Sequence, residues 1–276
     1  MAARANRVAI TFVLVAAVAV AAVFGIRALF AVAKHTLAYS YCKVGDYELD
    51  TEQAAVAAQM VGEVTGYSPP LPERAAVLVL AAALQESKLA NLPGGDRDSV
   101  GVLQQRPSQG WGSPPGDAAS LQNVTEATRE FLNHLRKIDG WQTMDLSEAV
   151  QAVQISADGS LYGQYEDEAK ALADALQGRV PIGITCTIDK PTKVAAPTKV
   201  AAALTAQLPV TKPTTTGTTI TVPDAGWQTT AWFVANADRL GIDSVSYNRH
   251  TWTRTHQWQS STATSTAVVA TMATIT

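Results

Sequence analysis

The hydrophobic pattern opens on residues 8–26, a run without a charge in which only Thr11 and Gly25 interrupt the apolar positions. It is close to the ~20 residues a helix needs to cross a bilayer and exceeds the roughly 7–15-residue core of a cleavable signal. It predicts a signal anchor over 1–34 with a transmembrane helix over about 8–26. The small-residue stretch Ala31-Val32-Ala33 offers the alternative of cleavage near Ala33. Residues 35–49 are dotted with Tyr39, Tyr41 and Tyr47. Asp50 and Gln53 then form a capping box for a helix over 51–65, with Ala54, Ala57, Ala58, Val61 and Val64 as its apolar stripe and Gly66 as its stop. After a loop at Pro69, Pro70 and Pro72, a nearly continuous apolar run from 75 to 84 ends in Glu86. A helix apolar on every side is a buried helix.

Residues 91–115, rich in Gly and Pro, predict a structured loop with a short strand or turn at 100–103. Helical spacing returns at Leu121, Val124, Thr128, Phe131, Leu135 and Ile138 and stops at Gly140. Asp145 and Glu148 start another helix through Ala149, Val150 and Val153, and a last one carries Ala169, Leu172, Ala173 and Leu176 before Gly178. Five helices and little strand signal predict a mainly α domain over 35–188. At 189–223 the composition changes: Pro191-Thr-Lys-Val-Ala-Ala196 repeats at once as Pro197-Thr-Lys-Val-Ala-Ala202, and a Pro/Thr-rich segment follows. This predicts a semi-extended linker or stalk, open to O-glycosylation. Residues 224–258 predict a small α/β module: a helix over 227–240, Gly241, strands around Val245 and Trp252, and a turn at Asn248-Arg249. About 35 residues cannot stand alone, so the module must dock on something or be a remnant. The uncharged Thr/Ala-rich stretch 259–276 is expected to be a disordered tail.

Composition narrows the function. Of 276 residues, 47% are hydrophobic and 16% charged, enough apolar mass for a core and one or two domains. A net charge of −3 without a long Lys/Arg block argues against nucleic acid as a partner. The basic flanks of the anchor (Arg4 and Arg7 before it, Arg27 and Lys34 after) leave its orientation nearly tied. The only cysteines, Cys42 and Cys186, lack CxxC spacing or a His neighbour. If bonded, they close a loop worth about 5 kcal/mol in chain entropy and place the bulk of the chain outside the cytoplasm; two unrelated buried thiols is the alternative. His35, His134, His250 and His256 are scattered without metal spacing. No Ser-His-Asp, P-loop or Rossmann pattern is present, and neither metal nor cofactor is expected.

The candidate chemistry centres on Glu86. A carboxylate at the end of a buried helix meets desolvation and the negative end of the helix dipole, and both raise its pKa, as a general acid requires. Asp96 and Asp98 are the acidic residues of the following loop that can serve as a second carboxylate. They can equally form a loop clamp with Arg97 or Arg106.

Glu86-Ser87, followed by Gly101 and by Gln104, resembles the Glu-Ser … Gly-Leu-Met-Gln pattern of lytic transglycosylases and lysozyme-like enzymes; the second half here is Gly101-Val-Leu-Gln104. The longer string from Gln85-Glu-Ser-Lys-Leu89 to Gln104-Gln-Arg-Pro-Ser-Gln-Gly-Trp-Gly112 is similar to an exported actinobacterial branch of that superfamily, whose members carry one Cys near each end of the domain. The resemblance covers roughly residues 42–186, with a weaker likeness over 227–252. It implies a lysozyme-like helical domain that cleaves the β-1,4 bond between N-acetylmuramic acid and N-acetylglucosamine, with Glu86 as acid/base. Ser87, Gln104, Gln105, Trp111, Gln154, Tyr162 and Tyr165 would bind substrate. Gln104 reads alternatively as a core-edge amide and Trp111 as a buried plug. Tyr162 and Tyr165 fall where the family has a later Tyr-containing motif. Val153-Gln-Ile-Ser-Ala157 departs from its Tyr-Asn-Ala-Gly, so Gln154 with Ser156 would replace the Asn. The expected partners are peptidoglycan glycan strands and, through the N-terminal helix, the cytoplasmic membrane: a single-pass protein with its bulk extracytoplasmic, or a secreted one if the anchor is cleaved. A wall-binding or scaffold protein that keeps the cleft without turnover is the competing expectation.

Overall fold

A computed structural model of the chain describes residues 40–155, 159–209, 212–262 and 265–275. The expected anchor at 1–34 lies outside them, as does Ser156. Among the described residues no helix is long and apolar enough to cross a membrane.

The described chain starts with a hairpin, β1 (Tyr41–Val44) and β2 (Tyr47–Asp50), which runs straight into α1 (Thr51–Gly66). The expected capping box forms: Asp50 Oδ1 accepts from Gln53 N at 2.7 Å, and Gln53 Oε1 accepts from Asp50 N at 2.8 Å. Helix α2 (Arg74–Ser87) follows, with nine buried residues from Ala75 to Leu84. Its alanines let α1, α4 (Val124–Leu135), α5 (Leu146–Gln154) and α6 (Glu166–Leu176) close around it. The helical stretch expected from Leu121 to Ile138 is broken at Asn123, which ends the short α3 (Ala118–Gln122) and caps α4 by accepting from Thr125 N at 3.0 Å. A side chain that bonds the backbone outside a helix turns one periodic run into two elements.

The mainly α expectation is corrected by two antiparallel sheets. In the first, ordered β2-β1-β3, the short β3 (Thr185–Thr187) places Cys186 directly opposite Cys42. The two are joined by a disulfide with a Cα–Cα distance of 3.9 Å. The second sheet has six strands in the order β4-β5-β9-β6-β7-β8: β4 (Thr214–Thr216), β5 (Thr219–Val222), β6 (Ile242–Tyr247), β7 (His250–Thr253), β8 (Gln257–Ser260) and β9 (Val268–Met272).

The stretch expected to be a stalk therefore supplies two strands, and it also supplies a helix, α7 (Pro197–Gln207). The two copies of Pro-Thr-Lys-Val-Ala-Ala adopt different structures. The first is not helical, and it ends at Ala196, which precedes a proline that disfavours helical backbone there and sits at φ −62°, ψ 137°. The second opens with Pro197 at a helix start, where its missing N–H costs nothing. It continues into Ala203-Leu-Thr-Ala-Gln207, and Val200 and Leu204 are fully buried. The expected tail supplies β9, a central strand that buries Val268, Ala270 and Met272. These added strands complete the small hairpin module, which is not left to stand on about 35 residues.

Helix α8 (Trp227–Ala235) is buried from Thr229 to Ala235 and lies between the helices and the sheets, against α1, α6, β3 and β6. The expected helix over 227–240 is interrupted at Asn236, whose Nδ2 donates to Trp232 O at 2.8 Å, and resumes as α9 (Ala237–Leu240). Arg254, only 4% exposed, donates to the carbonyls of Asp189 at 2.8 Å, Ala237 at 2.9 Å and Ile242 at 2.8 Å, tying three segments together. Trp252 Nε1 donates to Cys186 O at 3.0 Å.

The disulfide closes most of the helical part of the chain into one loop, with a sequence separation of 144. The Cys42→Ser, Cys186→Ser double variant should lose about 5 kcal/mol of unfolding free energy in the chain-entropy picture, read by denaturant unfolding against the oxidised protein. Intact-mass analysis after thiol alkylation should add no label to the unreduced protein; two labels would show that the bond does not form.

Candidate active site

Helix α2 ends at Ser87, and Lys88 and Leu89 turn the chain away with positive φ, 57° and 61°. Lys88 N donates to Leu84 O at 3.2 Å and Leu89 N to Ala83 O at 3.1 Å, so the last carbonyls are satisfied without a glycine. Glu86 therefore emerges half-buried from the dry core at the floor of a cleft of ≈ 660 Å³.

The loop opposite is pinned to α2. Ser87 Oγ donates to Val102 O at 2.7 Å, and Gly101 N donates to Leu92 O at 2.9 Å. Gly101 has φ +78°, and a Cβ there would run into the Leu121 carbonyl of α3. This close approach is the physical reason for a glycine at this distance from Glu86. Gln104 follows with φ +47°, its Nε2 donating to Gly101 O at 3.0 Å.

Two side chains hold the Glu86 carboxylate. Tyr162, buried in a 3₁₀ turn (Gly159–Tyr165), donates its hydroxyl to Oε1 at 2.6 Å. Gln154, in the last turn of α5, lies near enough to the same carboxylate to lower its pKa and donates Nε2 to Leu103 O at 2.9 Å. Burial pushes the Glu86 pKa above its ordinary value of 4.5, and the Tyr162 and Gln154 hydrogen bonds pull against that rise without cancelling it. An acid with a raised pKa that is held in place can deliver a proton.

The acidic residues of the loop are placed differently. Asp98 accepts from Arg106 Nε at 2.9 Å through Oδ1 and from Ser108 N at 2.7 Å through Oδ2. The Ser108 backbone and hydroxyl, then Arg106, hold its pKa far below the ordinary carboxylate range. It is a loop clamp, and its two oxygens are taken. Asp96 lines the cleft but is 93% exposed, with Arg97 3.9 Å away.

The other residues nominated from the sequence divide. Gln104, Gln105, Trp111 and Gln154 line the cleft with Glu86. Gln105 is only 2% exposed; its Nε2 donates to Ala127 O at 3.2 Å, and its Oε1 has no partner among the described residues. Trp111, 8% exposed, lies against the His134 ring with 4.3 Å between centroids, so it is both a plug and a wall of the cleft. Ser87 bonds backbone on either side, Ala83 O and Val102 O, which makes it a fastener of the loop. Tyr165 is outside the cleft lining, under the Lys88 ammonium at 4.1 Å from its ring centre.

Several lining residues carried no sequence signal. Ile155 ends α5 in the left-handed region (φ 52°) and is 82% exposed at the cleft. Gln85 and Ser99 also line the cleft; Gln85, one residue before the carboxylate, takes a bond from Gln164 Nε2 at 3.1 Å. Among the described residues no group of three or more His, Cys, Asp or Glu side chains is placed to hold a metal ion.

Compared with protein-family models and with the sequences of curated proteins, the chain has no match.

The raised Glu86 pKa has a consequence for folding. With the folded value above 4.5, stability attached to the protonated carboxyl is complete below the unfolded value and is lost as pH rises through the folded one. Glu86→Gln should therefore raise the melting temperature near pH 8, and the gain should vanish below about pH 4. A thermal-melt series across that range checks this; a destabilised variant at every pH would mean that the carboxylate is a structural anchor.

Proposed function

We propose that this protein cleaves the glycan strands of peptidoglycan at the bond between N-acetylmuramic acid and N-acetylglucosamine, as a lytic transglycosylase acting outside the cytoplasmic membrane. One observation carries this: Glu86 is a held, partly desolvated carboxyl on the floor of a cleft, while of the two acids in the facing loop Asp98 is bonded at both oxygens and Asp96 is solvent-exposed. Inverting and retaining hydrolysis both use a second carboxylate, to activate water or to attack the sugar. Asp98 is engaged at both oxygens and Asp96 lies out in solvent. A transglycosylase dispenses with that partner.

In such a reaction Glu86 donates its proton to O4 of the leaving N-acetylglucosamine as the C1–O4 bond breaks. The carboxylate left behind accepts the proton of the muramyl 6-hydroxyl, whose oxygen attacks C1. The 1,6-anhydro product forms, no water is consumed, and Glu86 ends protonated again. Tyr162 and Gln154 keep the carboxylate oriented through both steps, and Gln154 supplies the amide that the Val153-Gln-Ile-Ser-Ala157 segment needed to provide. The resemblance of Glu86-Ser87 … Gly101-Val-Leu-Gln104 to the family motif supports the same reading.

Glu86→Gln should lower release of muropeptides from purified peptidoglycan by about 10²-fold or more. Mass spectrometry of the products should find 1,6-anhydro ends; reducing ends would make the enzyme a hydrolase, and no products from the native protein would leave a wall-binding protein. Tyr162→Phe removes a bond that favours the ionised carboxylate. The alkaline limb of its pH–rate profile should move to higher pH while the maximal rate falls. An unmoved limb would remove Tyr162 from the control of Glu86.

A further inference from the structure

A second concave region lies where α1 meets α9 and the loop around Asn91. It consists of two neighbouring hollows, of ≈ 500 Å³ and ≈ 340 Å³, that share Glu52 and Arg239. The floor of the larger is apolar, from the buried Ala55, Val56 and Val124. Its walls carry amides with spare capacity. Gln59 and Gln122 each commit Nε2 to a neighbour, Thr125 Oγ1 at 2.8 Å and Leu92 O at 2.9 Å, and keep Oε1 open.

The charges are arranged as opposites that do not meet. Arg239 spends Nε on Asn236 Oδ1 at 2.6 Å, and its two terminal nitrogens have no partner among the described residues. The exposed Glu52 carboxylate makes no hydrogen bond or ion pair among the described residues; its charge is felt by Arg239 across the hollow without direct contact. In the smaller hollow Asp238 is already engaged, by Thr51 Oγ1 at 2.6 Å and by Arg254 Nη2 at 3.3 Å, which leaves Lys190 and Lys193 as the open charges. No aromatic side chain lines either hollow, so a sugar ring has no flat apolar surface to lie on.

We propose that this groove binds a short acidic peptide carrying a zwitterionic residue, the chemistry of a peptidoglycan stem peptide. The ligand's ammonium group faces Glu52, a carboxylate takes the free face of Arg239 in the two-pronged geometry a guanidinium offers, and a further carboxylate lies toward Lys190 and Lys193. The groove is tied to the loop that carries the cleft: Asn91 and Gln122 line the groove, and Leu92, beside Asn91, accepts from Gly101 N. The choice of stem peptide as the source rests on the transglycosylase reading; the charge pattern does not.

Calorimetric titration of the full chain with a synthetic stem tetrapeptide (L-Ala, γ-linked D-Glu, meso-diaminopimelate, D-Ala) tests the groove. Saturable binding is expected, weakened about tenfold or more in Glu52→Gln, in Arg239→Gln, and for the fully N-acetylated or fully amidated peptide. Glu52 is exposed, so Glu52→Gln decides the matter even if Arg239→Gln does not fold. Glu86→Gln should bind the peptide as the native protein does. Absence of saturable binding at millimolar peptide, or equal affinity in Glu52→Gln, overturns the groove. Peptide binding without glycan turnover upholds the groove and overturns the transglycosylase reading, and turnover without binding does the reverse.

Discussion

Everything in this structure depends on α2 being dry between its ends and charged only at them, by Arg74 at the start and Glu86 at the finish. Its alanines remove the side-chain bulk that would hold neighbours apart, so α1, α4, α5 and α6 approach on all sides and leave no room for water. A carboxylate placed midway would be prohibitively desolvated. At Glu86 the neighbours begin to splay, the desolvation is partial, and two donors can reach it. The same turn that ends the helix presents Ser87 to the cleft loop. One element therefore sets the acid's pKa, its direction and the position of the wall it faces.

The C-terminal half is coupled to that arrangement through β3. Cys186 is bonded to Cys42, its Sγ lies 3.6 Å from Val234 O of α8, and its carbonyl accepts from Trp252 of β7. Through these contacts three residues of strand join the first sheet, the buried helix α8 and the second sheet. The buried Arg254 reinforces the junction by satisfying carbonyls of segments that belong to no common ladder, an arrangement that costs several kcal/mol to disturb once the guanidinium is out of water. The sheet is thus part of the body of the protein, and the groove at α9 is built from helices and from the segment 190–193.

How much of this was legible follows from the range of the forces involved. Helices with a capping box, a continuous apolar face or a clean stop were readable, because those signals are local: Asp50 with Gln53, the run 75–84, Gly178. Among the strands only the hairpin around Val245 and Trp252, with its turn at Asn248-Arg249, was readable. Val268 to Met272 is five residues among threonines and alanines, and only its neighbours β5 and β6 make it a central strand. The repeated Pro-Thr-Lys-Val-Ala-Ala is the sharpest case, since identical hexapeptides differ because one precedes a proline and the other a run of helix formers. In the cleft, Glu86 was readable from its place at the end of an apolar run, while Gln104 and Trp111 were nominated by the resemblance of the longer string. That Ser87 fastens the loop, that Tyr165 turns away and that Ile155 stands exposed are facts of tertiary placement.

Electrostatics alone would nominate Glu86 and Asp98 as a catalytic pair, one carboxyl pushed up and the other pulled down, which is the pattern of two acids with separate roles. Geometry refuses the pairing. The donors that lower Asp98 occupy both of its oxygens, and they belong to the segment that shapes the cleft loop; its acidity measures how tightly residues 98–108 are tied together. The donors on Glu86 act in the opposite setting: they bond a group whose surroundings disfavour charge, so each bond is strongest when the proton has left. An acid that must release a proton and then recover one gains from that balance. In the proposed reaction, burial favours the protonated form before the bond breaks, and Tyr162 and Gln154 favour the anion that follows.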